Sequence, residues 1–293
     1  VDHYTRQEIE KVAWKILNDA GLTEPPIKPD DLIEHLRLNL DFYSLEDPGF
    51  VKTLTHKFNI KVQHLKKALQ KSKLVAGWMP DCSKIVIDGT LPEKKKIFPQ
   101  FHEITHSILP WHKDFFLGDT AQTLDHDYQE ALEIEANYGA SELMFCGPVF
   151  RKEVVYFDVS IKSVKELGKR YDNSLVTTVR KLVRSQAEAN CFALVSIPTW
   201  FESEKLPGAV KSLEPSTPFT NQFSTSVSEA IVSQVNSQVH YRKGGPLGEF
   251  NVTISDRNGD CFEFECETFF NTHEIITLGI LAKKVDGLIA VDF

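Results

Sequence analysis

The 293-residue chain is 42% apolar, 11% aromatic and 25% charged, values that exclude bulk disorder, collagen-like repeats and low-complexity architecture. Its 33 Lys and Arg stand against 41 Asp and Glu, and the net charge of −8 excludes a wholly basic nucleic-acid coat while leaving room for a local basic patch. No apolar run of about 18 residues exists to span a membrane, and five scattered cysteines without a Cys-x-x-Cys pair build neither a disulfide framework nor a cysteine zinc site.

In chain order, Thr5 and Glu8 read as a capping box for a first helix, with Ile9, Val12, Ala13, Ile16, Leu17 and Ala20 as its apolar stripe. Gly21 stops it, and Pro25, Pro26 and Pro29 keep the next stretch extended. The pattern predicts a short helix over 30–36, a turn at Asp47-Pro48-Gly49 and a helix over 60–69. Ile85, Val86 and Ile87 form a β-branched run that predicts a strand over 84–88. A helix then follows Leu91-Pro92-Glu93 and ends at Pro110; 111–128 is irregular and polar. Another helix covers 129–144, closed by Gly147-Pro148.

From Arg151 to Arg184 nine basic residues face four acidic ones. Ser163 with Glu166 reads as a capping box, and Val164, Leu167 and Tyr171 share one helical face. Asp172-Asn173-Ser174 is a turn ending in an N-cap, before a helix lined by Leu175, Val176, Val179, Leu182 and Val183. Two short helices with a three-residue turn match a helix-turn-helix. Lys162, Lys165, Lys169, Arg170, Arg180, Lys181 and Arg184 are its candidate nucleic-acid contacts, for duplex or single strands.

Beyond Ala189 the pattern turns to strands. Residues 191–197 are an apolar run, 203–223 read as a long loop with three prolines, and 226–239 fit helix or strand. Phe250, Val252 and Ile254 alternate, Arg257-Asn258-Gly259-Asp260 turns, and Phe262, Phe264 and Cys266 alternate again, which predicts a hairpin. A further strand is expected over 275–281. Phe115-Phe116 and Phe269-Phe270 read as core pairs, and the glycines of Lys243-Gly244-Gly245-Pro246 as a loop without a phosphate-binding pattern.

The chemistry concentrates at His102-Glu103-Ile104-Thr105-His106. Residues i and i+4 lie about 40° apart around a helix, so the two imidazoles project side by side and can share one zinc. Glu103 lies on the neighbouring face, placed to act as general base toward a water that zinc makes acidic. A zinc peptidase needs a third protein ligand, and there are two candidates. His112 is ten residues beyond His102, but Leu109-Pro110 stands where a sharp glycine turn would be required. Glu133 has Asn137 one turn later on the same face, suited to bind metal and to orient a histidine respectively. Glu130 has Ile134 in that place, and Glu135 lies about 200° around the helix from Glu133, pointing away. Tyr138, His112 and His126 are candidate electrophiles for an oxyanion.

On these residues the chain resembles the ImmA/IrrE-type metallopeptidases. The resemblance rests on His102-Glu103-x-x-His106 followed by Glu133-x-x-Ala136-Asn137-x-x-Ala140 and Leu143-Met144. It departs from the family pattern at Gly139, where phenylalanine is usual, and at Pro148, which comes late; Lys96 to Phe101 is a divergent version of the stretch before the first histidine. The resemblance implies an α+β chain with a gluzincin-like helical peptidase domain and small sheet over 1–150, a helix-turn-helix segment over 151–189 and a GAF-like α+β sensor domain over 190–293. It implies one Zn2+ on His102, His106 and Glu133, with Glu103 as base; manganese and iron suit the same donors. The implied substrate is a helix-turn-helix repressor whose cleavage releases a stress, mobile-element or antiphage operon, with DNA as a candidate activator and no membrane. A rival expectation is a nucleic-acid- or ligand-binding regulator whose metal site is structural or vestigial. With no apolar secretory core at residues 1–5, a cytoplasmic location is expected.

Overall fold

A computed structural model of the chain describes residues 1–43, 76–79, 83–112, 126–198, 210–224, 231–233 and 244–285. It is α+β and divides into two units, Val1–Phe150 and Arg151–Phe293. The expected turn at 47–49, the helix over 60–69, most of 226–239, Phe115-Phe116, Cys82 and the side chain of His126 lie outside the described residues.

In the first unit, α1 (His3–Asp19) buries Ile9, Ala13 and Leu17. Its N-cap is Asp2 rather than Thr5: the Asp2 carboxylate accepts from the backbone N–H of Tyr4 at 2.9 Å and of Thr5 at 3.1 Å, and a carboxylate satisfies these end donors two at a time. Gly21 leaves α1 at φ +72, where a side chain would be strained. Then follow α2 (Pro29–His35) and β1 (Asn39–Tyr43), β2 (Ala76–Met79) and β3 (Lys84–Asp88). These strands form a sheet of order β1-β3-β2, with β1 parallel and β2 antiparallel to β3. Ile85 and Ile87 of the central strand are fully buried, as expected of a β-branched run covered on both faces.

The histidine motif sits on α3 (Glu93–Ile108), which carries Pro99 inside it. That proline removes one backbone hydrogen bond just ahead of the motif. Helix α4 (His126–Met144) packs along α3, and α1 packs along α4. Gly139 permits this approach: a Cβ there would overlap Thr105 Cγ2 and come within 3.2 Å of Ile9 Cγ2. Thr105 is fully buried and its hydroxyl donates to Phe101 O at 2.8 Å, so it has no cheap alternative rotamer. Gly139→Ala is expected to lower stability by about 1–3 kcal/mol, the usual effect of overpacking, measured by denaturant unfolding. Gly147-Pro148 opens a helix rather than closing one: Cys146 takes φ 46, and α5 (Gly147–Glu153) begins with Pro148 in its first turn, where proline is tolerated.

The second unit starts with a 3-10 turn (Val154–Tyr156), α6 (Ile161–Arg170) and α7 (Leu175–Arg184). Ser160, not Ser163, caps α6, its hydroxyl accepting from Ser163 N at 3.1 Å. Ser174 caps α7 as expected. Strands β4 (Cys191–Ser196), β5 (Val210–Pro215), β6 (Gly245–Ser255), β7 (Cys261–Phe270) and β8 (Ile275–Val285) form an antiparallel sheet of order β5-β4-β8-β7-β6. Residues 210–222 are not a loop: they hold β5 and α8 (Thr217–Gln222). The prolines misled because both stand at element ends, Pro215 closing the strand and Pro218 in the first helical turn.

Strand β4 is buried along its whole length. Phe192 and Leu194 enter a core with Phe219, Phe223, Val252 and Phe264, while α7 lies on β4 and β5. Gly279 stands opposite Phe192 across the strand pair, and a Cβ there would collide with the Phe192 ring. Phe270 is core, as expected, whereas Phe269 is half-buried and lies under the Lys165 ammonium, 4.0 Å from the ring centroid.

Candidate metal centre

Helices α3 and α4 bring three donors together. The Nε2 atoms of His102 and His106 are 3.1 Å apart, His102 Nε2 is 3.1 Å from Glu133 Oε2, and His106 Nε2 is 3.5 Å from Glu133 Oε1. A tetrahedral ion with bonds of about 2.0–2.1 Å requires donor separations of about 3.3 Å, so this spacing fits a zinc-sized cation. Asn137 Oδ1 lies 3.2 Å from His102 Nδ1, placed to accept that ring's hydrogen when a cation takes the Nε2 lone pair. The side chain of Glu133 is 57% exposed, so the donor set is open on its carboxylate side.

Electrostatics separates two carboxylates on adjoining helices. Glu103 is only 6% exposed, and burial pushes its pKa up to about 7 despite the nearby His102 and a hydrogen bond from the Trp78 backbone. Glu133 is held far below the usual carboxylate range by hydrogen bonds from His102 and His106. Burial lowers the His106 pKa. Burial acts the same way on His102, but the Glu133 hydrogen bond and the charges of Glu103 and Glu133 outweigh it, and its pKa is raised.

Residues 55–183 match the family Peptidase_M78, the IrrE N-terminal-like domain. Among solved structures, a Mycobacterium tuberculosis transcriptional regulator is similar with a TM-score of 0.52 at 10% identity, over 100% of this chain and 94% of that one. At that identity the likeness is one of fold. No curated protein matches the sequence.

The other candidates stand away from the three donors. His112 is fully buried behind His106, its Nδ1 2.8 Å from His106 Nδ1, on the side of that ring opposite the cluster. It is therefore neither the third donor nor an electrophile; the extended backbone at Leu109 (ψ 115) turns the chain back beneath α3 rather than out over it. Tyr138 donates its hydroxyl to Glu10 Oε1 of α1 at 2.5 Å, a correction to its expected place at an oxyanion. Sequence reasoning passed over Glu135 and Trp111. Glu135 does turn away from the donors, yet its Oε2 accepts from Trp111 Nε1 at 2.7 Å and His112 Nε2 at 3.1 Å. The Trp111-His112 pair just past Pro110 was the available signal.

The candidate nucleic-acid residues also divide. Arg184 makes a bidentate pair with Glu214 of β5, Arg180 donates to Ser212 at 2.7 Å, Lys181 is buried, and Arg170 pairs with Glu153. Because α7 lies on the sheet, Arg180 and Arg184 meet a sheet hydroxyl and a sheet carboxylate, while Arg170 of α6 meets Glu153 of α5; these pairs compete with the expected phosphate contacts. Lys162, Lys165 and Lys169 are exposed and line a cleft of about 740 Å³, whose wall also carries Glu166, Glu249 and Glu267. Three carboxylates against three ammoniums leave that cleft without a net positive field.

The described cysteines Cys146, Cys191, Cys261 and Cys266 are buried. No helix among the described residues is long and apolar enough to cross a membrane.

Proposed function

We propose that this chain is a zinc-dependent endopeptidase that cleaves a helix-turn-helix transcriptional repressor at one site, derepressing a stress, mobile-element or antiphage operon. The observation that carries this reading is the convergence of His102, His106 and Glu133 at separations of 3.1–3.5 Å, with buried Glu103 beside them. Bound Zn2+ would supply a Lewis acid for the scissile carbonyl and acidify water. His102, His106 and Glu133 would hold it, and Asn137 fixes the ring of His102. Glu103, its pKa raised to about 7, takes a proton from the attacking water and returns it to the leaving amine. Catalytic zinc sites use three protein donors and structural ones four. Three such donors converge among the described residues, with Glu133 partly open to solvent, which favours the peptidase over a regulator with a structural metal.

The regulatory substrate is supported by the match to the IrrE N-terminal-like domain and by a similar fold in a protein described as a transcriptional regulator. We read the second unit as a GAF-like sensor, consistent with its antiparallel sheet, and DNA as a candidate activator. The test is incubation of the full chain with the repressor encoded beside its gene, with and without Zn2+ and DNA, read by mass spectrometry. A single cut, lost with chelator and restored by Zn2+, is the expected result. An intact repressor under every condition, with zinc bound, would overturn the assignment.

A further inference from the structure

We propose that His112 and Glu135 form a positioning relay for His106, fixing which of its ring nitrogens carries hydrogen and how the ring faces, so that the zinc affinity of the chain depends on two residues that never touch the metal. The inference rests on the metal site proposed above.

The relay follows from counting hydrogens. His106 turns Nε2 toward His102 Nε2 and Glu133, at 3.1 and 3.5 Å. To offer a lone pair there, neutral His106 must carry its hydrogen on Nδ1. That Nδ1 is 2.8 Å from His112 Nδ1, and two ring nitrogens at this distance share one hydrogen. His106 therefore donates and His112 Nδ1 accepts. Neutral His112 then carries its own hydrogen on Nε2, which is 3.1 Å from Glu135 Oε2. The same carboxylate oxygen receives the indole hydrogen of Trp111 at 2.7 Å, so Glu135 is anchored independently of the histidine.

With a cation bound, the opposite arrangement fails at both ends. If His112 donated to His106, its bare Nε2 would face a carboxylate oxygen, and His106 would aim N–H at the metal donors. The carboxylate at Glu135 thus selects the metal-ready tautomer of His106 through one intervening ring. His112 is fully buried, so water does not substitute for it.

The test measures Zn2+ affinity of the full chain by competition with a chromophoric chelator. His112→Phe fills the ring space without an acceptor and is expected to weaken binding roughly 10- to 100-fold, the usual effect of losing an outer partner of a ligating histidine. His112→Asn places an oxygen acceptor near the lost Nδ1 and is expected to recover most of that affinity. Glu135→Gln keeps the shape, removes the charge and is expected to give an intermediate loss. In zinc-loaded protein, 15N spectra should show a protonated Nδ1 on His106 and an unprotonated Nδ1 on His112.

Should His112→Phe fail to fold, Glu135→Gln and the spectra decide alone. Wild-type affinity in Glu135→Gln, or a bare Nδ1 on His106, overturns the relay. Affinity losses in these variants, in a wild type that binds zinc but cuts no repressor, sustain the relay and sink only the assigned function. A wild-type chain that takes up no zinc overturns both.

Discussion

Glu103→Gln should abolish cleavage, lowering turnover on the order of 10²–10⁴-fold, the share general acid–base catalysis supplies, while leaving metal content at the wild-type level. Glutamine matches the shape of glutamate but neither takes a proton from water nor delivers one. The donors are untouched, because His102, His106 and Glu133 meet one another and not Glu103. Metal analysis after dialysis and a repressor-cleavage assay measure the two quantities on one sample. Full zinc content with wild-type cleavage would remove Glu103 from the mechanism.

The same substitution should stabilise the metal-free protein at high pH. Burial raises Glu103 from an ordinary 4.5 to about 7, so the folded chain holds this proton more tightly than the unfolded one. A raised carboxyl contributes stability that is fully present below about pH 4.5 and is lost as pH rises through about 7. The difference amounts to about 3 kcal/mol at pH 8, and at 6% exposure solvent screens little of it. Metal-free Glu103→Gln should therefore unfold at higher denaturant than wild type at pH 8 and at the same denaturant near pH 4. An ionisable group kept in a site where its charge is expensive is an expected mark of function rather than of folding.

Local periodicity explains which parts of the molecule were readable in advance. The strand at 84–88 was legible because its three β-branched residues are all buried, and the 250–266 hairpin because a turn separated two alternating runs. The histidine pair was legible because i and i+4 on a helix need no tertiary information. Glu133 needed more, namely that α4 packs along α3; the Glu133 and Asn137 pairing on one face made that expectation concrete. Errors arose where a residue's partner is distant in sequence. Tyr138 is claimed by Glu10 and Arg184 by Glu214, and no local pattern announces either. Glu135 was set aside by its helical angle, which was right about the metal and silent about Trp111 and His112. Caps were misplaced at Thr5 and Ser163 for a local reason: each helix has an earlier oxygen, Asp2 or Ser160, that reaches the same end donors first.

Glu133→Ala should reduce zinc affinity by more than the roughly 100-fold that marks loss of an outer partner. Glu133 contributes the only negative charge of the three donors, and a dication held by two neutral imidazoles lacks the charge that its desolvation requires. Its removal opens no cavity, since Glu133 is 57% exposed. Metal-free Glu133→Ala should still unfold at somewhat lower denaturant than wild type at neutral pH, by the hydrogen bonds it gives up, and the difference should shrink as pH falls. The contribution of Glu133 to metal-free stability has the opposite sign to that of Glu103: its pKa is depressed by hydrogen bonds from His102 and His106, so that contribution exists above the ordinary carboxylate pKa and fades as pH falls. Asn137→Ala provides the scale. It removes only the acceptor at His102 Nδ1, so its affinity loss should fall inside the 10- to 100-fold range and below that of Glu133→Ala. Chelator competition on the two variants gives the order directly. If Asn137→Ala proved the more damaging, Glu133 would be an orienting group and the donor set would have to be redrawn.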